Sequence, residues 1–237
     1  MIDNSNLLQN GKSLNVDFDW VRAQLLKTER ISGSGNRTFV KPIIEGASKC
    51  LTEAKSLILA KFTIVEKKII GVKNDSIDLE GEVSLSTKWL ASYVNGAMYL
   101  CIFIVTLGSA IEERASQLMH SGEGMEGYLL DRIGSFAVES LAENFENNLR
   151  EYYGAKDLSV SMRFSPGYCD WPIEDQFKLA KVLDFSKAGV RLTEGCMMVP
   201  KKSISAVVGV GPKDLFSKRI SQCDICDKKD GCSYRRT

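Results

Sequence analysis

The order of apolar and polar positions along the chain marks out a mixed set of helices and strands. Asp17 to Leu26 places acidic residues ahead of an apolar-periodic stretch, a helix start. Glu29 to Pro42 is rich in Gly, Ser and Asn and ends on Pro, which predicts a loop. From Ile43 to Lys61 apolar residues recur at helical spacing, at Ala47, Cys50, Leu51, Ala54, Leu57 and Ile58. Two β-branched, alternating runs follow, FTIVEKKII and SIDLEGEVSLS, broken around Gly71, Asn74 and Gly81, and they predict strands. Lys88 to Gly96 predicts a short helix. Tyr99 to Leu107 is apolar almost throughout, as expected of a strand covered on both faces.

The next two helices are the clearest elements. SAIEERASQLM is short and amphipathic. Gly127 to Tyr153 is long and stacks Leu129, Ile133, Ala137, Leu141, Phe145, Leu149 and Tyr153 at i+4 on one core-facing stripe. Glu139, Glu143, Glu146 and Arg150 lie on its other side, where a charge row is ordinarily solvated, and Glu146–Arg150 has the favoured i,i+4 order. Gly154 ends the helix. LSVSMRFSPGY then predicts a strand entering a turn, DQFKLAKVLD a helix, and GCMMVP and SISAVVGVG two extended pieces. Gly33 with Gly35, and Gly209 with Gly211, complete no G-x-G-x-x-G and read as turns. Without a strict βαβα alternation the expected fold class is α+β, an antiparallel or mixed sheet with packed helices. No internal repeat or Pro/Ser-rich linker divides it. The expected organisation is a polar N-terminal arm at 1–16, one domain at 17–215 and a Cys-rich tail at 216–237.

Composition narrows the function. Thirty-one Lys+Arg against 30 Asp+Glu in 237 residues leave no field for phosphate binding, so nucleic acid is not the expected partner. The longest apolar run, Met98 to Leu107, is about half of the roughly 20 residues that span a bilayer, and no membrane association is expected. The N-terminus has no basic start followed by an apolar stretch, so no secretory signal is read there. Seven Cys, three of them in the last fifteen residues, sit in a chain long enough to build a core without disulfides. That usage points to a reducing compartment, the cytoplasm, and to metal or redox chemistry.

Catalysis through histidine is poorly supported, because the only His is His120 at a helix C-terminus, where imidazole satisfies last-turn carbonyls. The segment Arg163-Phe164-Ser165-Pro166-Gly167-Tyr168 offers more. An Arg before a Pro-Gly turn supplies a planar fork for a carboxylate, Tyr168 an aromatic face, and Gly167 a close approach to the backbone. A plain surface turn remains the competing reading.

With its neighbours, this segment resembles the activation (reactivation) domain of cobalamin-dependent methionine synthase and its free-standing relatives. Arg163 to Tyr168 reproduces the family's R-x-x-P-G-Y turn. GVRLTEGCMMVP at Gly189 to Pro200 is similar to its G-x-x-L-T-E-S-x-x-M-x-P segment, LAENF at Leu141 to Phe145 to its Glu-bearing helix, and FIVTLGSAIEERASQ to a segment of the free-standing relatives. The likeness spans roughly residues 80 to 212. It implies binding of S-adenosylmethionine, whose methyl is passed to a Co(II) cobalamin after one-electron reduction. The protein would supply position rather than acid–base catalysis. Carried over, Arg163 meets the methionyl carboxylate, Glu143 the ammonium, and the main chain of Ser165, Gly167 and Tyr168 lines the nucleoside. The family's early Asp fits Asp19. Its Trp before the Pro is Val199 here, and a later aromatic falls on Val207 or Val208, which removes a stacking surface. No D-x-H-x-x-G cobalamin motif occurs, so the cobalamin would arrive on a partner, methionine synthase or a related corrinoid methyltransferase, together with a one-electron donor. A metal-binding or electron-transfer accessory protein that keeps the fold but not the ligand site is the alternative.

The tail adds Cys223-x2-Cys226-x5-Cys232, three thiols among polar residues in the manner of a metal knuckle. Candidate fourth ligands are Cys169 and Cys196. An iron–sulfur cluster would suit the reductive chemistry, whereas zinc would staple the tail.

Overall fold

The computed structural model describes residues 14–29, 37–217 and 230. Helix α1 (Phe18–Thr28) is started by Asp17, whose carboxylate accepts the amides of Asp19 (3.1 Å) and Trp20 (2.9 Å). Helix α2 (Arg37–Leu57) begins six residues earlier than its apolar periodicity and runs through Pro42. The loop expectation fails from Arg37 onward, and Pro42, the sixth residue of the helix, leaves one backbone carbonyl of the first turn without its usual donor.

Strands β1 (Lys61–Val72), β2 (Ser76–Leu79) and β3 (Val83–Ser86) form a meander, and its last turn uses positive φ at Gly81 and Glu82. Helix α3 (Lys88–Tyr93), β4 (Tyr99–Thr106), α4 (Ala110–His120) and the 31-residue α5 (Gly124–Gly154) follow. The chain continues through β5 (Leu158–Val160), α6 (Asp175–Val182), a 3₁₀ turn (Phe185–Ala188), β6 (Arg191–Leu192), β7 (Met198–Val199) and β8 (Ser203–Pro212). The fold is α+β. Six strands form one antiparallel sheet in the order β3-β2-β1-β4-β8-β5, and β6 and β7 make a separate hairpin.

Parity along β4 divides the interior. Cys101, Phe103 and Val105 point toward α1, α2, α4 and α5, whereas Leu100, Ile102 and Ile104 point to a second core with α3, α6 and Trp171. The stripe from Leu129 to Tyr153 is buried in the first core as expected, with Phe145 against Phe103 (4.7 Å between centroids) and Phe62 (5.0 Å). Glycines 209 and 211 lie within β8, not in a turn. A Cβ on Gly209 would stand 2.8 Å from Val94 Cγ1, and one on Gly211 2.5 Å from Leu215 Cδ2. They are bare because the end of α3 and the segment after β8 press onto the strand.

The edge that carries the turn is irregular. Val160 pairs with Val210, the Ser161 amide donates to the Gly209 carbonyl (2.9 Å), and the next paired residue is Phe164, opposite Val207. Three steps on one strand match two on the other, so one extra residue is accommodated as a bulge. The Ser161 hydroxyl fills the gap by accepting the Gly209 amide (2.8 Å). The extra residue changes parity. Val160 belongs to the first core, Phe164 to the second, and Arg163 consequently faces α5.

Among the described residues no helix is long and apolar enough to cross a membrane. The expected metal ligands Cys223, Cys226 and Cys232 lie outside the described residues.

Candidate functional site

Helix α5 turns Glu139, Glu146 and Arg150 toward the bulged edge, and Arg163 reaches back between the two carboxylates. Its Nη2 donates to Glu139 Oε2 at 2.8 Å and its Nη1 to Glu146 Oε2 at 3.0 Å. The other Glu146 oxygen accepts from Arg150 Nη2, and Arg150 also reaches the Ser161 carbonyl at 3.4 Å. The result is a ladder of alternating charge. Its inner rung is Glu146, with a side chain 8% exposed; its outer rung is Glu139, at 25%. The expectation of a solvated row therefore fails at Glu146, because two guanidinium groups and their hydrogen bonds compensate its lost hydration. Tyr93 lies close to the same ladder. Burial pushes its phenol up, Arg150 opposes this and Glu146 adds to it, so the hydroxyl stays protonated.

The turn is fastened from both sides. Tyr168 N–H donates to the Ser165 carbonyl (3.3 Å), Gly167 N–H to the Trp171 carbonyl (2.8 Å), and Trp171 N–H to the Tyr168 carbonyl (3.1 Å). Asp170 accepts from the Lys88 amide (2.6 Å), the Thr87 hydroxyl (2.9 Å) and the Trp89 amide (3.4 Å), which locks the turn to the start of α3. Buried Trp171 donates its indole N–H to Asp175 (2.9 Å). Gly167 has φ +90°, so a side chain there strains the backbone before any ligand is considered. Among the described residues these bonds leave the Ser165 N–H and the Gly167 carbonyl unused.

The structure thus brings Arg163, Ser165, Gly167 and Tyr168 onto one turn, with the Tyr168 side chain exposed. Glu143 lies on α5 between the two rungs of the ladder, exposed and in no ion pair among the described residues. The carboxylates that meet Arg163 are Glu139 and Glu146, which the sequence reading placed in the row without that role. The seven-residue spacing of two carboxylates was the available signal. Asp19 is exposed on α1, Val199 half-buried, and Val207 and Val208 are fully buried. His120 Nδ1 meets the Ser116 carbonyl at 2.7 Å, the helix-end role its position predicts.

One further polar cluster lies in the first core. Cross-strand neighbours Glu66 and Cys101 share Tyr153, whose hydroxyl donates to Glu66 and lies 3.1 Å from Cys101 Sγ. Burial pushes the Cys101 thiol up to about 12, and the Tyr153 phenol is raised for the same reason. Neither is poised as a nucleophile at neutral pH.

No curated protein sequence matches the chain. Among solved structures, the MetH reactivation domain bound to AdoHcy aligns with a TM-score of 0.62 at 17% identity, covering 86% of this chain and 76% of that one. At that identity the likeness establishes the fold. The sequence profile described as "Vitamin B12 dependent methionine synthase, activation domain" matches residues 83–218, a span that holds α3 to β8, the charge ladder and the turn. With more than half of its length so matched, the chain belongs to the family of the vitamin B12-dependent methionine synthase activation domain.

Proposed function

We propose that this protein binds S-adenosylmethionine and presents its methyl group to a corrinoid carried by a partner. The partner is methionine synthase or a related methyltransferase, and the corrinoid is one that has lapsed to Co(II). The chemistry belongs to ligand and corrinoid: a separate donor supplies one electron, and the resulting Co(I) takes the methyl from sulfur, leaving S-adenosylhomocysteine.

The chain's own residues bind and orient. The observation that carries the reading is Arg163, held at the lip of the Pro-Gly turn between two α5 carboxylates. In this reading the Arg163 guanidinium takes the methionyl carboxylate. The ammonium is met by Glu143 on the exposed face of α5, with Glu139 beside it. The Ser165 N–H and Gly167 carbonyl pair with the adenine edge, and Tyr168 covers the nucleoside. The AdoHcy bound to the similar reactivation domain is consistent with a ligand of this size and chemistry. Buried Val207 and Val208 offer no aromatic surface, so affinity rests on the polar contacts.

Calorimetric titration with S-adenosylmethionine tests this. Micromolar binding that Arg163→Ala abolishes supports it, and absence of heat at millimolar ligand overturns it. The second outcome favours an accessory protein in which the same ladder is only a fold-holding ion network, a role its burial alone would satisfy.

A further inference from the structure

A guanidinium recognises a carboxylate through a planar donor fork, so its plane has to be aimed, and Arg carries that plane on a long, flexible stem. Two anchorages aim the one on Arg163. The backbone on either side of it is fixed to β8. Ser161 N–H donates to the Gly209 carbonyl (2.9 Å), and its hydroxyl accepts the Gly209 amide (2.8 Å) and donates to the Met162 carbonyl (2.6 Å). Phe164 exchanges both main-chain bonds with Val207, at 2.9 and 2.8 Å. The head of the side chain is fixed to α5, where Glu139 meets Nη2 and Glu146 meets Nη1.

Arg150 joins the two anchorages. It holds the second oxygen of Glu146, and it reaches the Ser161 carbonyl and the Asn147 side-chain oxygen, each at 3.4 Å. One residue thereby ties the carboxylate that orients the Arg163 head to the strand position two places before Arg163. A carboxylate has two oxygens. Without Arg150, both Glu146 oxygens can turn onto Arg163 as a closed two-nitrogen pair, the geometry that a ligand carboxylate would otherwise take. Arg150 prevents this by occupying one of them. The arrangement is also deep, with the side chains of Glu146 and Arg163 8% and 12% exposed. A guanidinium already immobilised in the free protein loses less conformational freedom when a ligand arrives.

We infer that Arg150 is a positioning residue: acting through Glu146 and the Ser161 carbonyl, it sets the pose in which Arg163 meets the carboxylate of an amino-acid ligand, a role that rests on the S-adenosylmethionine reading above. Arg150 itself touches no ligand. Its effect is confined to one functional group of the ligand, the carboxylate. An ion network that only holds the fold together has no such preference, and its loss weakens every ligand alike or none.

Two ligands separate these roles: S-adenosylmethionine, and its decarboxylated analogue, which keeps the adenosyl group, the sulfonium and the amine. By calorimetry the wild type should bind S-adenosylmethionine at least about tenfold more tightly than the analogue, a preference that Arg163→Ala removes. Arg150→Met should weaken S-adenosylmethionine by about tenfold and the analogue by less than about twofold. Arg150→Lys, whose ammonium can still hold a Glu146 oxygen, should recover most of that loss. Arg132→Met, which breaks an ion pair with Glu29 elsewhere on α5, should leave both affinities unchanged. The Arg150 side chain is 27% exposed, so its variants are expected to fold, and thermal unfolding checks that they do. Equal losses for the two ligands in Arg150→Met, or no loss for either, overturn the proposal. So does an Arg150→Lys variant as weak as Arg150→Met, which removes the route through Glu146. A wild type that binds no S-adenosylmethionine fails the ligand reading itself and this role with it; wild-type binding that depends on Arg163 but not on Arg150 fails this role alone.

Discussion

At the scale of single residues, the charge ladder is graded by depth. Glu146 serves two guanidinium groups from a site that water barely reaches, whereas Glu139 serves one at the rim. Replacing a deep partner strands the charges it compensated; replacing a rim partner lets water take its place. Glu146→Gln should therefore cost about 2–3 kcal/mol in urea denaturation, below the cost of a fully buried pair because Arg150 keeps some solvent contact. Glu139→Gln should cost less than about 1 kcal/mol. Equal losses for the two would mean that depth does not set the hierarchy. None of this was readable from α5 alone. A row of Glu on a helix has the same pattern whether it faces water or an Arg that arrives seventeen residues later.

At the scale of elements, α5 depends on two glycines in different ways. A Cβ on Gly127 would lie 2.8 Å from the Ala115 carbonyl oxygen and 2.7 Å from Met119 Cγ, so the backbone of α4 would have to move. On Gly134 the nearest atom is Lys202 Cε at 3.1 Å, a side-chain rather than a backbone atom, in a lysine whose ammonium is held by Asp131 (2.7 Å) and Ser135 (2.9 Å). Gly127→Ala should destabilise by about 2 kcal/mol or more, as overpacking does. Gly134→Ala should stay within about 1 kcal/mol, since the alanine's helix propensity offsets the crowding. Thermal unfolding of the two variants, measured side by side, tests the ranking. The helix itself was plain in the sequence, because the i+4 stripe from Leu129 to Tyr153 records burial against a single partner surface. The strand position of Gly209 and Gly211 was not, since their meaning lies in Val94, Phe216 and Leu215, which arrive from other elements.

For the whole molecule, the sheet is covered on both faces, and its central strand β4 carries a titrating group into the dry interior. Cys101 is fully buried, with its thiol raised from 9.0 to about 12. A raised pKa means that the folded state holds the proton more tightly than the unfolded chain. Its contribution is complete below about pH 9 and is lost as pH rises toward 12. Tyr153 shifts in the same direction and steepens the loss at the alkaline end. Denaturation midpoints should fall from pH 9 upward, and Cys101→Ala should flatten part of that fall while lowering stability at neutral pH. A variant with the wild-type alkaline slope would remove Cys101 from the account. The α+β class and the buried β4 were legible because both follow from local composition. The strand order was not, since it is decided by which hydrophobic faces find each other.

The bulge between Ser161 and Phe164 means that one stretch of this protein is specified by how many residues it contains. Met162 can become Leu with little effect, because the pocket asks only for apolar bulk. A regular ladder that kept every residue would exchange the two sides of the sheet, sending Arg163 into the apolar second core and Phe164 toward the α5 carboxylates, whereas removing Met162 takes out the extra residue and leaves Arg163 facing α5 and Phe164 opposite Val207. The Met162 deletion should therefore keep a cooperative unfolding transition, destabilised by about 2–4 kcal/mol through loss of one buried apolar side chain. A survey of substitutions reads only what the Met162 side chain contributes; the deletion reads the residue count as well, because the information stored there is partly a length.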